Sequence, residues 1–440
     1  MCRALLRTLP GGGVLRARSH ASYGRAMIDQ GRLDDDARSV LTEINNVGPR
    51  PTADLHADTA MHARPFDDAL DHPRLPMRVW TAAAKLVYPD LFRHLTRATL
   101  DTWGRGVQVF STTHEGFPPF FRGSHRFYTQ AVAGWPKHAN DTPLNAFMFQ
   151  AGFVYREVAR HSDRLRLART YAETVQAIND GCIAVHLAIE GAAPLLPRAD
   201  NEAALQRWLA SPSCRLPAAM PLPTAEELGS RRGLVAYAAR LGVLYVSLSH
   251  LNSNALCGSD MPGARRRGAG LGRDTSALFA ELQQHGILLD LAHASRASQA
   301  EACGQATLPV LVSHTLIVDP ARPRRGRAWR ALADATLDEV ARTGGVVGVM
   351  FAKRYLPRGR LADIVDQIDY LKRRIGIEFV AIGSDADGFV ELAIGNLGRV
   401  GEIIEELGRR GYSAREIEHV RFANLLRVLR RRDALLAGAA

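Results

Sequence analysis

Ile287-Leu-Leu-Asp-Leu-Ala-His293 and, a little further on, Pro309-Val-Leu-Val-Ser-His314 decide how the rest of the chain is read. Both are short runs of Leu, Val and Ile without polar alternation, the pattern of a strand buried on both faces. Each ends in an imidazole. Working outward, six more runs of the same kind occur at 53–58, 106–111, 183–190, 243–250, 345–351 and 379–385, with longer stretches of helical periodicity after them. Leu278, Leu282 and His285 lie at helical spacing, as do Ile364, Ile368 and Leu371, and 414–431 reads as a terminal helix. Eight parallel strands with crossover helices close a barrel. A doubly wound open sheet would use the same alternation, but the opening strand lacks the glycine-rich turn of a dinucleotide site. The expected fold is therefore α/β, a (β/α)8 TIM-type barrel.

Two stretches exceed a minimal barrel. Residues 112–162, between the second and third strands, are long and rich in aromatic residues and proline (Phe117, Phe120, Phe121, Phe127, Tyr128, Trp135) and read as a lid or side wall, or as packing under a long loop. Residues 200–223 carry four prolines and read as a surface excursion. The expected organisation is an N-terminal extension over 1–50, a barrel domain over 51–431 and a short tail over 432–440.

Composition narrows the function. The 440 residues are 46% hydrophobic and 23% charged, which is globular, and the formal charge of +11 comes mainly from arginine. The arginine clusters at 265–267, 322–330 and 430–432 are short, scattered and not interleaved with stacking aromatics, so a nucleic-acid partner is not expected. Five cysteines, widely spaced and without a C-x-x-C pair, indicate neither a zinc ribbon nor a complete disulfide framework. The basic first thirty residues faintly resemble a transit peptide and read more simply as a frayed terminus. No apolar run approaches the ~20 residues of a membrane-spanning helix, and the last residues lack the tail of a lipid-anchor signal. A cytoplasmic protein with no membrane partner is expected.

In a barrel, polar residues at the carboxyl ends of strands meet in space. His56 and Asp58 close the first run, Glu190 the third, His250 the fourth, His293 the fifth, His314 the sixth and Asp385 the eighth. One histidine ending a strand is more often a packed core residue than a ligand. Two in consecutive strands, together with a terminating carboxylate and the His-x-Asp of the first strand, point to a metal site. Imidazole and carboxylate donors without thiolate suit catalytic zinc, and the set exceeds the needs of one tetrahedral ion. Two zinc ions bridged by a carboxylate and a hydroxide would use all of it, and hydrolysis is the chemistry such a pair performs.

Taken in order, Asp54-Leu-His56-Ala-Asp58, Ile189-Glu190-Gly191, Ser249-His250, Asp290-Leu-Ala-His293, Ser313-His314 and Gly383-Ser-Asp385-Ala-Asp387-Gly388 resemble the membrane dipeptidase (renal dipeptidase) family of zinc metallodipeptidases. The resemblance spans about residues 50 to 431 and is strongest from His250 onward. It implies that His56 and Asp58 bind one zinc, His293 and His314 the other, and that Glu190 bridges both. It further implies that His250 steadies the oxygen of the tetrahedral intermediate and that Asp385 holds the substrate amine or moves a proton. Arg330 matches the arginine that pairs with the substrate's terminal carboxylate, a task suited to a planar guanidinium. The asparagine that commonly follows it is Ala331 here, and Arg322, Arg324, Arg325 and Arg327 stand nearby.

A dipeptide is the expected substrate, and a homodimer the assembly the family allows. Among the other histidines, His62, His114, His125, His186, His285 and His419 lack motif support and read as structural or exposed; His186, of the same strand parity as Glu190, reads as polar packing beneath it. Asp290 and Asp387 read as residues that orient the ligands. The rival readings are a related binuclear amidohydrolase acting on another amide, lactam or ester, a noncatalytic binding protein on the same barrel, and an arginine-rich scaffold for acidic polymers.

Overall fold

The computed structural model describes residues 30–62, 94–114, 135–259, 261, 264, 267–317, 330–388 and 391–438. Nine parallel strands form one sheet: β1 (Thr52–Ala57), β2 (Gly106–Thr113), β3 (Leu165–Leu167), β4 (Ile183–Glu190), β5 (Val243–Ser247), β6 (Leu288–Asp290), β7 (Leu311–Thr315), β8 (Val346–Val349) and β9 (Val380–Ile382). Eight of them follow in the order β1-β2-β4-β5-β6-β7-β8-β9. The last comes back to the first where Ala57 pairs with Ala386 and the Asp58 N–H donates to the Ala386 carbonyl at 2.8 Å, so the barrel is nearly closed. All eight are buried along their whole length, which is why most lack polar alternation in the sequence; β1, where Thr52, Asp54 and His56 alternate with Ala53, Leu55 and Ala57, is the exception. The ninth, β3, pairs with the first three residues of β4, ahead of Leu187 where β5 begins to pair.

Helices cover the outside. In Leu361–Ile375 the residues Ile364, Ile368 and Leu371 are buried at helical spacing, while in Thr275–Gln284 the buried apolar residues are Leu278, Phe279 and Leu282, with His285 just beyond the end as its cap. The 112–162 stretch divides. Residues 115–134, with five of its six named aromatics, lie outside the described residues; Pro143–Arg160 is the crossover helix that follows β2. Its start is written in the sequence: the Thr142 hydroxyl accepts from the Asn145 N–H, and Pro143 stands where a missing N–H costs nothing. This part is barrel wall, and its Gln150 grips both backbone polar groups of Thr113.

The 200–223 stretch opens with the helix Asn201–Leu209, whose Trp208 is fully buried, so it packs into the core before the prolines begin. The terminal helical run, with a π-turn at His419–Ala423, continues past Arg431 to Gly438. From it the buried Arg427 guanidinium donates to the carbonyls of Gly344, Gly345 and Glu378, tying the amino-terminal ends of β8 and β9 together. Among the described residues no helix is long and apolar enough to cross a membrane.

Candidate metal centre

The barrel brings His56, Asp58, Glu190, His250, His293, His314, Arg330 and Asp385 together at its carboxyl-terminal mouth. Glu190, ending β4, is the hub: its Oε1 lies 3.0 Å from His293 Nε2, 3.6 Å from His314 Nε2 and 3.7 Å from His56 Nε2, and its Oε2 lies 3.4 Å from His250 Nε2. His56 Nε2 is also 3.5 Å from Asp58 Oδ1, and the Nε2 atoms of His293 and His314 are 3.0 Å apart. Three triads each place their donor atoms within 4.8 Å of one another: His56, Glu190 and His314; Glu190, His250 and His293; His56, Asp58 and Asp385. Arg330 joins them, its Nη2 2.9 Å from His293 Nε2 and its own carbonyl held by the Thr315 hydroxyl at 3.1 Å. Arg322, Arg324, Arg325 and Arg327 fall outside the described residues.

Not all of these groups sit on strands. His250, His293 and Asp385 lie past the ends of β5, β6 and β9, on backbone that has left the ladder. His293 and Asp385 adopt φ of 64° and 61°, and Asp387 follows at 63°. A left-handed side-chain residue is disfavoured by roughly 1–2 kcal/mol and persists where its surroundings hold it. Here they do: Asp387 accepts from the Thr59 hydroxyl at 2.7 Å and the His94 N–H at 2.9 Å, and its own N–H donates to His94 Nδ1 at 2.9 Å.

Two buried carboxylates repeat one device on opposite sides of the mouth. Asp54 accepts from the N–H and hydroxyl of Ser384, at 2.8 and 2.7 Å, and Asp290 accepts from the N–H and hydroxyl of Ser313 at the same distances. Each clamp fixes the residue next to it in sequence, Asp385 in one case and His314 in the other. Gly348 and Gly383 let neighbouring backbone approach Ser313: a Cβ on either would fall about 2 Å from its carbonyl oxygen (2.0 and 1.9 Å).

The electrostatics are those of a site built for positive charge. Burial, and then the charge of Asp58, push the Glu190 carboxyl well above its ordinary range. Burial and Asp58 likewise raise Asp385, to about 7. At His56 burial works against charge, but Glu190, Asp58 and Asp385 outweigh it and lift the imidazole to about 10. Burial holds His293 and His314 well below the normal value, reinforced by Arg330 at the first and His56 at the second. His56 Nε2 and both Glu190 oxygens are buried without a hydrogen bond although they face one another. Gly388 leaves the remaining room, since a Cβ there would stand 2.6 Å from Asp385 Oδ1 and 3.1 Å from Asp58 Oδ2. Buried nitrogen and oxygen donors aimed at a common space, with no thiolate among them, fit divalent cations of the zinc type.

The sequence did not mark the groups that orient these donors. Tyr245 meets His56 Nδ1 at 2.8 Å, Ser313 meets His314 Nδ1 at 3.0 Å, and the Thr113 hydroxyl meets His250 Nδ1 at 3.0 Å. A hydroxyl on a strand has no spacing signal; only Ser313, directly before His314, and Asp54, two before His56, stand close enough to a candidate ligand to be suspected. Asp290 does orient a histidine, through Ser313, whereas Asp387 bonds His94 and Thr59. His186 bonds Thr174 at 3.1 Å, and burial with Arg432 nearby lowers its pKa to about 3, so it is a neutral packed imidazole apart from the cluster.

A nearly closed parallel barrel whose mouth gathers imidazoles and carboxylates is the architecture of the barrel metal-dependent hydrolases. The model of membrane dipeptidase (peptidase family M19) matches residues 210–438. The chain belongs to the membrane dipeptidase family. Dipeptidase verJ of Clonostachys rogersoniana is 28% identical over 290 residues, a match spanning 65% of each chain and so less than two thirds of that relative's length. Dipeptidase ataJ of Aspergillus terreus is 27% identical over 369 residues, 77% of this chain and 79% of that one. The fold is shared with a probable dipeptidase from Pseudomonas aeruginosa (TM-score 0.60, 15% identity, 92% of this chain and 100% of that one). It is also shared with a metallopeptidase from Rhodobacter sphaeroides crystallised with a phosphinate mimic of L-Ala-D-Ala (TM-score 0.59, 19% identity, 87% and 99%).

Proposed function

We propose that the protein is a zinc-dependent dipeptidase. The observation that carries this reading is the convergence on Glu190 of four imidazoles, beside two further carboxylates and the buried guanidinium of Arg330. His56 and Asp58 would hold one zinc ion, His293 and His314 a second, with Glu190 shared between them. Such a pair supplies Lewis acidity and a nucleophilic hydroxide at neutral pH.

The chain's own groups do the rest. Arg330, with 7% of its surface exposed, presents a poorly screened positive charge that recognises the free carboxylate of a small substrate. Thr113 orients His250 so that its Nε2 faces Glu190 and the space above it, where an N–H would steady the oxygen of the tetrahedral intermediate. Asp385, lifted to about 7 by burial and Asp58, is poised to take a proton at its carboxylate and give it to the leaving nitrogen. The names of the fungal relatives and the dipeptide mimic in the Rhodobacter sphaeroides protein support a dipeptide as substrate.

The test is zinc content together with hydrolysis of a dipeptide panel, before and after chelation. Activity that vanishes on stripping and returns with zinc is expected. Full turnover by metal-free protein overturns the proposal.

A further inference from the structure

Counting protons at the base of the cluster gives a result that coordinating atoms alone do not. The Tyr245 hydroxyl carries one hydrogen and donates it to the Leu55 carbonyl at 2.8 Å. Its 2.8 Å contact with His56 Nδ1 can then be attractive only if the hydrogen there sits on the ring nitrogen. Ser313 repeats the arithmetic: its hydroxyl donates to Asp290 Oδ2 at 2.7 Å and so accepts, at 3.0 Å, from His314 Nδ1–H. Asp290 receives three donors, the N–H and hydroxyl of Ser313 and the N–H of Ala292, and is therefore set as an acceptor. Tyr245 and Ser313 are fully buried, and neither has a place in the proposed reaction.

We infer that Tyr245 and Ser313 are positioning residues: each hydroxyl relays a fixed acceptor to one imidazole, so that in the neutral form that can bind a metal His56 and His314 carry hydrogen on Nδ1 and leave Nε2 bare toward Glu190. A neutral imidazole otherwise exchanges its hydrogen between two nitrogens, and a hydrogen on Nε2 would close the donor that faces the cluster. The relays end differently, Tyr245 on a neutral carbonyl and Ser313 on a carboxylate, and they serve different halves of the site. Tyr245 governs the half containing Asp58 and Asp385; Ser313 governs the half containing His293. This inference rests on the dinuclear reading above and deepens it.

The experiment compares the zinc-loaded wild type with Tyr245→Phe and Ser313→Ala, titrating zinc out with a chromophoric chelator and melting each protein both loaded and stripped. Each variant is expected to release one of two zinc equivalents at about 10- to 100-fold lower chelator strength, the other being held as in the wild type. Melting should fall more in the loaded form than in the stripped form. Variants that hold both equivalents as the wild type does overturn the relay alone, as does an equal loss of melting temperature with and without zinc, which marks a merely structural hydroxyl. A wild-type protein that takes up no zinc overturns the dipeptidase reading and the relay with it. Should Ser313→Ala fail to fold, Tyr245→Phe, which keeps the ring and its packing, decides the matter.

Discussion

Replacing Arg330 by alanine separates a dipeptidase from a barrel hydrolase of other amides. The guanidinium is almost wholly buried, so a carboxylate meeting it leaves water and forms charge-assisted, geometrically matched hydrogen bonds. Truncating one partner of such a desolvated pair costs about 2–5 kcal/mol, which is roughly 30- to several-thousand-fold in kcat/KM. Part of any loss will come from elsewhere, because Arg330 Nη2 also bonds His293 Nε2. The assay therefore uses two substrates, a dipeptide and the same dipeptide amidated at its C-terminus, and reads the ratio of their kcat/KM values. Disturbance of His293 affects both and cancels; loss of the carboxylate contact affects only the first. The wild type should prefer the free acid, and Arg330→Ala should erase most of that preference while Arg330→Lys keeps part of it. An unchanged ratio in Arg330→Ala would refute the assignment and favour an amide, lactam or ester substrate without a free carboxylate.

Gly388→Ala places a carbon 2.6 Å from Asp385 Oδ1 and 3.1 Å from Asp58 Oδ2, so bound zinc and turnover should both fall by about tenfold or more while the fold survives; metal analysis at wild-type level would contradict this. Asp387→Ala strands the Thr59 hydroxyl and the His94 N–H, two buried donors worth about 1–3 kcal/mol each. Thermal or chemical unfolding should register a loss of about 2–6 kcal/mol, and an unchanged transition would show that the loop is held by other contacts. Metal-free protein should lose stability as pH rises from 6.5 toward 10, because folded His56 keeps its proton to about 10 while the unfolded imidazole releases it at 6.5. Asp385, raised from 3.8 to about 7, acts in the same direction up to its own pKa, whereas His293 and His314, held low by burial, act oppositely only below 6.5. Melting curves of stripped protein across pH 6.5 to 10 that rise or stay level would contradict the assignment.

The barrel was legible because strands buried on both faces leave apolar runs, and eight were marked, the weakest at 53–58 where Asp54 and His56 interrupt it. β3 was not, since Leu165-Arg-Leu167 is too short to show any period. Strand ends were drawn too far along, to His250, His293 and Asp385, where the backbone has already left the ladder; the turn after β6 and β9 is set by φ at His293 and Asp385, not by residue type. The helix Pro143–Arg160 was hidden because the aromatic and proline content of 117–135 led the whole 112–162 stretch to be read as a lid or loop packing, although Thr142 and Pro143 mark its start. At the site, donor identity was readable from strand-terminal His, Asp and Glu, and Arg330 only through the family pattern. The orienting hydroxyls were out of reach because their partners, such as Leu55 for Tyr245, are decided by how strands far apart in the chain are set against each other.

The position of Glu190 has a genetic corollary. Its two oxygens are approached by imidazoles carried on four different segments of the barrel, so all four histidines share one carboxylate. Substitutions among them will not combine additively: once one is gone, losing a second will cost far less than it does alone. Such a quartet is kept whole or abandoned whole, and a descendant that had drifted to some other trade would betray it by the simultaneous decay of all four.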